Sequence, residues 1–225
     1  GAMASRSLKV MRLGDNMRYV AVTEGDKVQA EKDLGWSVNT YAVGGMAELV
    51  AAVTDAQIDE KMAEYESKYT IKTDNLTAVK YQAKMEIAME QMLEEGKFGA
   101  YTDCFEDLHG LEQLPGLATQ NLMSKGYGFG AEGDWKQAAL QAIIGAMSQG
   151  LTKGYSFIED YTYHLESGNE AVLGAHMLEI SPAIAQGKAA IEVHPLGIGG
   201  KDDPARLVFE GKEGDAILVT LVDMS

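Results

Sequence analysis

The sequence predicts an α/β fold in which a parallel sheet flanked by helices is followed by a partial antiparallel β domain. Two patterns carry that expectation. As far as Gly150, strand-like runs alternate with helical periods and are joined by short Gly-containing turns, the order that builds a parallel sheet covered by helices. Beyond Gly154 the runs are strand-like only, separated by Gly, Pro, Asn and Asp. A third observation bounds the size: 225 residues with 46% hydrophobic content are enough to bury a sizeable core.

An apolar run from Leu8 to Val10 opens the first strand. Leu13-Gly14-Asp15-Asn16-Met17-Arg18 reads as a loop at its end, before the stretch Tyr19 to Val22. Thr54-Asp55-Ala56-Gln57 has the capping-box pattern, in which hydroxyl and carboxamide each bond the other's backbone N–H. Ile58, Met62, Tyr65 and Tyr69 follow at helical spacing. A second helix is expected from Thr77 to Glu95, with Met85, Ala88, Met89 and Met92 on one face and Gly96 as its stop. Phe98 to Thr102 reads as a strand and Asp103 to Gln113 as a polar loop. Pro115 suits the first position of a helix that Gly126 ends. Tyr127 to Ala131 is the next strand. Asp134 then caps a helix, with Gln137 in the matching position and Leu140, Ile143, Ile144 and Met147 as the expected buried stripe.

In the second segment, Tyr155 to Glu166, Val172 to Ile180, Ile191 to His194, Arg206 to Glu210 and Ile217 to Val222 read as strands. This segment is short for a closed barrel of its own. The expected division is an α/β domain over 5–153 and a partial antiparallel β domain over 154–225, while Gly1-Ala2-Met3-Ala4 looks like a cloning scar.

Composition excludes several classes. Lys and Arg number 19 against 34 Asp and Glu, a net charge of −15, which opposes nucleic acid and anionic membrane as partners. A charged partner is better sought among cations. No apolar run reaches membrane-spanning length and no signal-peptide pattern is present, so the expected location is cytoplasmic. The lone Cys104 cannot form an internal disulfide, and with no base beside it in sequence it reads as an inert thiol.

Five features are candidates for chemistry. Gly128-Phe129-Gly130-Ala131-Glu132-Gly133 matches the spacing of a dinucleotide-binding turn, but its glycines begin inside the strand and no acidic ribose partner follows at the required distance. Glu132 is a carboxylate at the carboxyl end of a parallel strand, the edge where open α/β sheets bind ligands. Its bland alternative is a surface Glu complementing a helix dipole. Glu159 opens a polar, aromatic strand, and His176 lies in an apolar one; a solvated strand face and a hydrogen-bonded core His are the respective alternatives. Two carboxylates and an imidazole suit Mn²⁺ or a similar divalent ion, although neither sequence spacing is a local metal signature. Leu196 to Asp202 has the look of a phosphate loop, yet Lys201 is followed by Asp202, and a tight turn is the better reading.

The longer words carry a resemblance. Phe105-Glu106-Asp107-Leu108-His109-Gly110, Gln113 to Ala118, Gly128-Phe129 with Glu132-Gly133-Asp134-Trp135-Lys136, Ser156 to His164, Leu173 to Glu179 and His194 to Arg206 closely resemble the bacterial L-arabinose isomerase family. Leu13 to Arg18 continues the match, which runs from about Leu8 to the C-terminus in unbroken order.

The resemblance implies a metal-dependent aldose–ketose isomerase acting on L-arabinose and L-ribulose, and on D-galactose and D-tagatose, through an enediol. It implies a divalent metal, usually Mn²⁺, held by two glutamates and two histidines: Glu132, Glu159 and His176 here, with the fourth ligand, the second family histidine, beyond Ser225. Glu132 and Glu159 become the expected catalytic carboxylates, and Met17 and Phe105 fall on positions that line the sugar pocket. A homo-oligomer whose pocket is shared between subunits is implied as well. The family's N-terminal domain and chain end have no counterpart here, so the rival reading is a catalytically silent fragment serving only folding and assembly. Two local departures stand near the site. Asp103-Cys104 replaces small hydroxyl residues, and Gly130-Ala131 reverses the usual order.

Overall fold

The computed structural model describes residues 5–150 and 154–223; the N-terminal tetrapeptide lies outside them. The main sheet holds four parallel strands: β1 (Lys9–Leu13), β2 (Ser37–Tyr41), β4 (Ala100–Asp103) and β5 (Gly128–Gly130), in the order β2-β1-β4-β5. Among the described residues six α-helices run between and after these strands: α1 (Lys27–Leu34), α2 (Val43–Ala52), α3 (Asp55–Lys68), α4 (Leu76–Gly96), α5 (Leu117–Ser124) and α6 (Trp135–Met147). Alternate residues of the central strands serve opposite faces. Met11, Leu13, Tyr101 and Phe129 pack with Met46, Met85 and Met89 on one side. Val10 and Ala100 pack with Trp36, Trp135 and Ala138 on the other.

The second segment forms two small sheets. Strands β6 (Glu159–His164) and β7 (Ala171–Ala175) pair as an antiparallel hairpin with an irregularity between Asp160 and Thr162. Strands β8 (Ala190–Val193) and β9 (Ala205–Val208) are also antiparallel, and β8 pairs on its other side with the short parallel strand β3 (Thr70–Ile71). The first segment therefore donates a strand to the second.

Local signals explain many boundaries. Thr54 and Gln57 form both halves of the capping box at the start of α3, and Asp134 accepts from the Lys136 and Gln137 backbone N–H groups at the start of α6. Buried Glu86 ties three helices together, accepting from Lys61, Tyr65, Asn121 and Lys125 at 2.6–3.1 Å.

Several expectations need correction. Gly96 is the last residue of α4, and the left-handed stop falls on Lys97 (φ 54°). A Cβ at Gly96 would run into the Phe98 ring, which folds back over the helix end and would have to move. Helix α5 begins at Leu117, not Pro115: buried Gln82 bonds the Gly116 and Ala118 N–H groups through its Oε1 and does the work of a cap. The buried face of α6 is Trp135, Ala138, Ala139 and Gln141, whereas Leu140, Ile143 and Ile144 are half-buried and Met147 is exposed. Residues 217–222 form no strand, and Ile217 is 87% exposed. Strand β2 and helices α1 and α2 carried no sequence assignment.

Candidate functional site

The site lies where the general rule for open α/β sheets puts it, outside the carboxyl ends of the parallel strands. Asp103 ends β4 and Glu132 follows β5. The loop after β1 crosses both. The Met17 N–H donates to the Glu132 carbonyl at 2.9 Å, and the Gly133 N–H donates to the Asp103 carbonyl at 2.9 Å. A Cβ on Gly133 would meet the Asp15 carbonyl at 2.5 Å, so only glycine allows this approach. Arg18 adds ion pairs to Glu106 at 3.4 Å and Asp107 at 3.2 Å.

The hairpin supplies the opposing groups. Its register sets Glu159 against Ala175, which puts the next residue, His176, beside Glu159. His176 Nε2 stands 3.8 Å from Glu159 Oε1. Buried Glu179 is hydrogen-bonded to the other ring nitrogen, Nδ1. The Phe157 ring meets the imidazole edge-on at 5.1 Å, and Tyr161 lies at 6.2 Å. A cleft lined by Asp103, Phe105, Glu132, His176, Glu179 and Ile198 results.

Electrostatics separate these groups from ordinary surface carboxylates. Burial raises the Glu132 carboxyl pKa, and the negative charge of Glu159 adds to it. Burial also raises Glu159, with His176 pulling the other way. For His176, burial opposes the charged form, but the hydrogen bond and charge of Glu179 outweigh it, and its pKa is raised. Asp103 is buried and pushed up to about 8, chiefly by burial and then by the charge of Glu179. Glu132 itself adopts a left-handed backbone, φ 62°, a strained conformation for a side chain of this size.

The sequence-predicted residues are thus partly assembled. Glu159 and His176 are paired, and Glu132 and Phe105 share the cleft with His176. Met17 reaches the site through its backbone, and its side chain is not among those lining the cleft. Among the described residues no three His, Cys, Asp or Glu side chains converge closely enough to hold an ion as they stand. The donor chemistry nonetheless suits one, because His176 Nε2 is a buried nitrogen with no hydrogen-bond partner, facing a carboxylate. Asp103 and Glu179 escaped the sequence reading. Asp103 showed only as a departure from the family pattern, and Glu179 as the end of an apolar word.

Two rival motifs find other uses. A Cβ on Gly128 would strike the Ala138 carbonyl, and one on Gly130 would lie 2.5 Å from the Asp134 carbonyl. These glycines let α6 press against β5, which accounts for them without a bound phosphate. Gly199 and Gly200 form a tight turn, and Lys201 donates to the Leu108 and Leu111 carbonyls at 2.7 and 2.6 Å. Cys104 is buried, and burial pushes its thiol up to about 12, so it stays protonated.

Comparison with known proteins points one way. Residues 9–150 match the L-arabinose isomerase central domain and residues 154–225 match the L-arabinose isomerase C-terminal domain. An L-arabinose isomerase of Thermotoga petrophila is 58% identical over 221 residues, covering 97% of this chain and 45% of that protein. One from Geobacillus stearothermophilus is 54% identical over 226 residues, covering 98% of this chain and 45% of that protein. One from Halalkalibacterium halodurans is 54% identical over 223 residues, covering 96% and 44%. The chain spans less than half the length of these curated relatives.

Proposed function

As this chain belongs to the L-arabinose isomerase family, we propose that it carries the proton-transfer and metal-binding side of a site interconverting L-arabinose and L-ribulose, with D-galactose and D-tagatose as the second pair. The observation that supports this reading most is the pairing of Glu159 with the bare Nε2 of His176 beside a cleft that Glu132 lines. Glu132, Glu159 and His176 would hold a divalent cation such as Mn²⁺. When bound, that ion supplies Lewis-acid polarisation of the sugar oxygens.

The chain's own residues account for the remainder. Aldose-to-ketose conversion takes a proton from C2 while O1 gains one, leaving an enediol, and then returns a proton to C1 while O2 gives up its own. Carboxylates whose pKa values burial raises, as at Glu132 and Glu159, hold a proton more readily than ordinary surface carboxylates, the property asked of a group that takes and returns one. Such general acid–base help is worth about 10²–10⁴ in rate. Phe105 is a half-buried apolar ring on the cleft and gives one face of the open-chain sugar an apolar surface. Met17, whose backbone N–H bonds the Glu132 carbonyl, would line the sugar pocket as the resemblance implies.

The reading includes a homo-oligomer with a shared pocket and a cytoplasmic setting, in keeping with a sequence whose one cysteine builds no disulfide scaffold. No helix among the described residues is long and apolar enough to cross a membrane.

Calorimetric titration of this chain with Mn²⁺, beside Glu132→Gln, tests the proposal. One saturable site that vanishes in the variant is expected. Absence of any site in the wild-type chain overturns it for these residues.

A further inference from the structure

We propose that Glu179 is the positioning residue of His176: it fixes the imidazole with the proton on Nδ1, so that Nε2 faces Glu159 and the cleft without one. This deepens the metal-dependent reading above and rests on it for its purpose.

Three observations and one rule of hydrogen bonding carry the assignment. Glu179 is hydrogen-bonded to Nδ1, the nitrogen away from Glu159. A carboxylate has only acceptor oxygens, so it selects the ring form that presents an N–H to it. Nε2 is buried and has no hydrogen-bond partner, which would be a costly vacancy for a core histidine and is the state a ligand nitrogen requires. The Phe157 ring packs edge-on against the imidazole at 5.1 Å, on top of the Glu179 bond.

Glu179 is itself well anchored. The Met177 carbonyl before it accepts from Arg206 at 3.0 Å, and the Ile180 carbonyl after it accepts from Gln120 at 2.9 Å. The Ser181 N–H then donates to Ser156 Oγ at 2.8 Å. The carboxylate is thus aimed by a turn that is tied on both sides to the body of the protein. Carboxylate–imidazole pairs of this kind, when they stand behind a metal ligand, govern affinity by about 10–100-fold.

The test is nitrogen NMR of the chain labelled with ¹⁵N-histidine, recorded without metal at pH 9. It contains four histidines, and His176→Gln identifies the signal. The expected wild-type state is the Nδ1–H form, which free histidine disfavours. Glu179→Leu should return the ring to the Nε2–H form. Glu179→Gln, which keeps an acceptor oxygen, should retain the Nδ1–H form. With Co²⁺ as an optical probe, Glu179→Leu should bind about 10–100-fold more weakly than wild type, with Glu179→Gln between them.

Wild-type His176 found as the Nε2–H form, or still doubly protonated, overturns the assignment. So does an unchanged tautomer in Glu179→Leu. If that variant does not fold, the wild-type and Glu179→Gln spectra decide alone. A tautomer pattern as expected with no Co²⁺ or Mn²⁺ binding upholds the role of Glu179 and defeats the metal reading instead.

Discussion

Gln120 holds Leu207 by both ends of its carboxamide: Oε1 accepts from the Leu207 N–H at 2.7 Å, and Nε2 donates to the Leu207 carbonyl at 3.1 Å. Strand β9 is the edge of its sheet, and Leu207 stands opposite Ile191 on the paired side. Its outward backbone groups meet no further strand, and the Gln120 side chain does for them what a neighbouring strand would do. The same Nε2 reaches the Ile180 carbonyl at 2.9 Å. Gln120→Leu strands these buried groups and is expected to cost about 2–4 kcal/mol. Urea unfolding measures it; a loss within error of zero would show that water replaces the carboxamide.

Asp103 makes stability depend on pH in a stated direction. Its carboxyl is pushed up from 3.8 to about 8 in the fold, by burial first and the charge of Glu179 second. For an acid with a raised folded pKa, the folded state binds the extra proton between those two values. Stability from this group is therefore full below pH 3.8 and falls as pH rises toward 8. Asp103→Asn keeps the shape and removes the titration. The variant is expected to be more stable at pH 8 by about 1–3 kcal/mol, with no advantage near pH 4. Equal slopes for the two proteins would show that another group governs this range.

What the sequence made legible was local. The capping box at Thr54 and the Asp134 cap act over three residues, and both are present. Reading failed where partners decide. Ile217 to Val222 is an apolar run but has no strand to pair with, and an isolated run does not make a sheet. The buried face of α6 was misread because Leu140, Ile143, Ile144 and Met147 outweigh alanines on any hydrophobicity count. Close contact of Gly128 and Gly130 with the helix at Asp134, Ala138 and Ala142 instead favours small residues on that face. The candidate site was invisible to spacing for a similar reason. Glu159 and His176 meet through hairpin register, and Glu132 joins them from another sheet, so only resemblance to a family connected the three.

The glycine contact yields its own prediction. In Gly130→Ala the new Cβ would lie 2.5 Å from the Asp134 carbonyl and 2.7 Å from the Ala138 nitrogen, both backbone atoms that cannot swing away. Helix α6 has to shift, at about 1–3 kcal/mol. Trp135, fully buried at its start, reports the movement in near-ultraviolet circular dichroism. An unchanged spectrum and stability would mean the sheet absorbs the methyl group.

Glu132 is the residue where strain and chemistry coincide. Its left-handed backbone, φ 62°, costs a non-glycine residue about 1–2 kcal/mol. Glu132→Gly removes that penalty while adding about 0.5–1 kcal/mol of chain entropy to the unfolded state, leaving a net gain of roughly 0.5–1 kcal/mol. Glu132→Gln removes the charge but keeps the strained backbone, so comparing the two variants isolates the strain. Urea unfolding is expected to rank Glu132→Gly above Glu132→Gln, and Mn²⁺ titration to find neither competent. Equal stability of the two would mean that the Met17 hydrogen bond to the Glu132 carbonyl, rather than local strain, sets the energy of this turn. A site that becomes more stable when its carboxylate is deleted is one held in place for function.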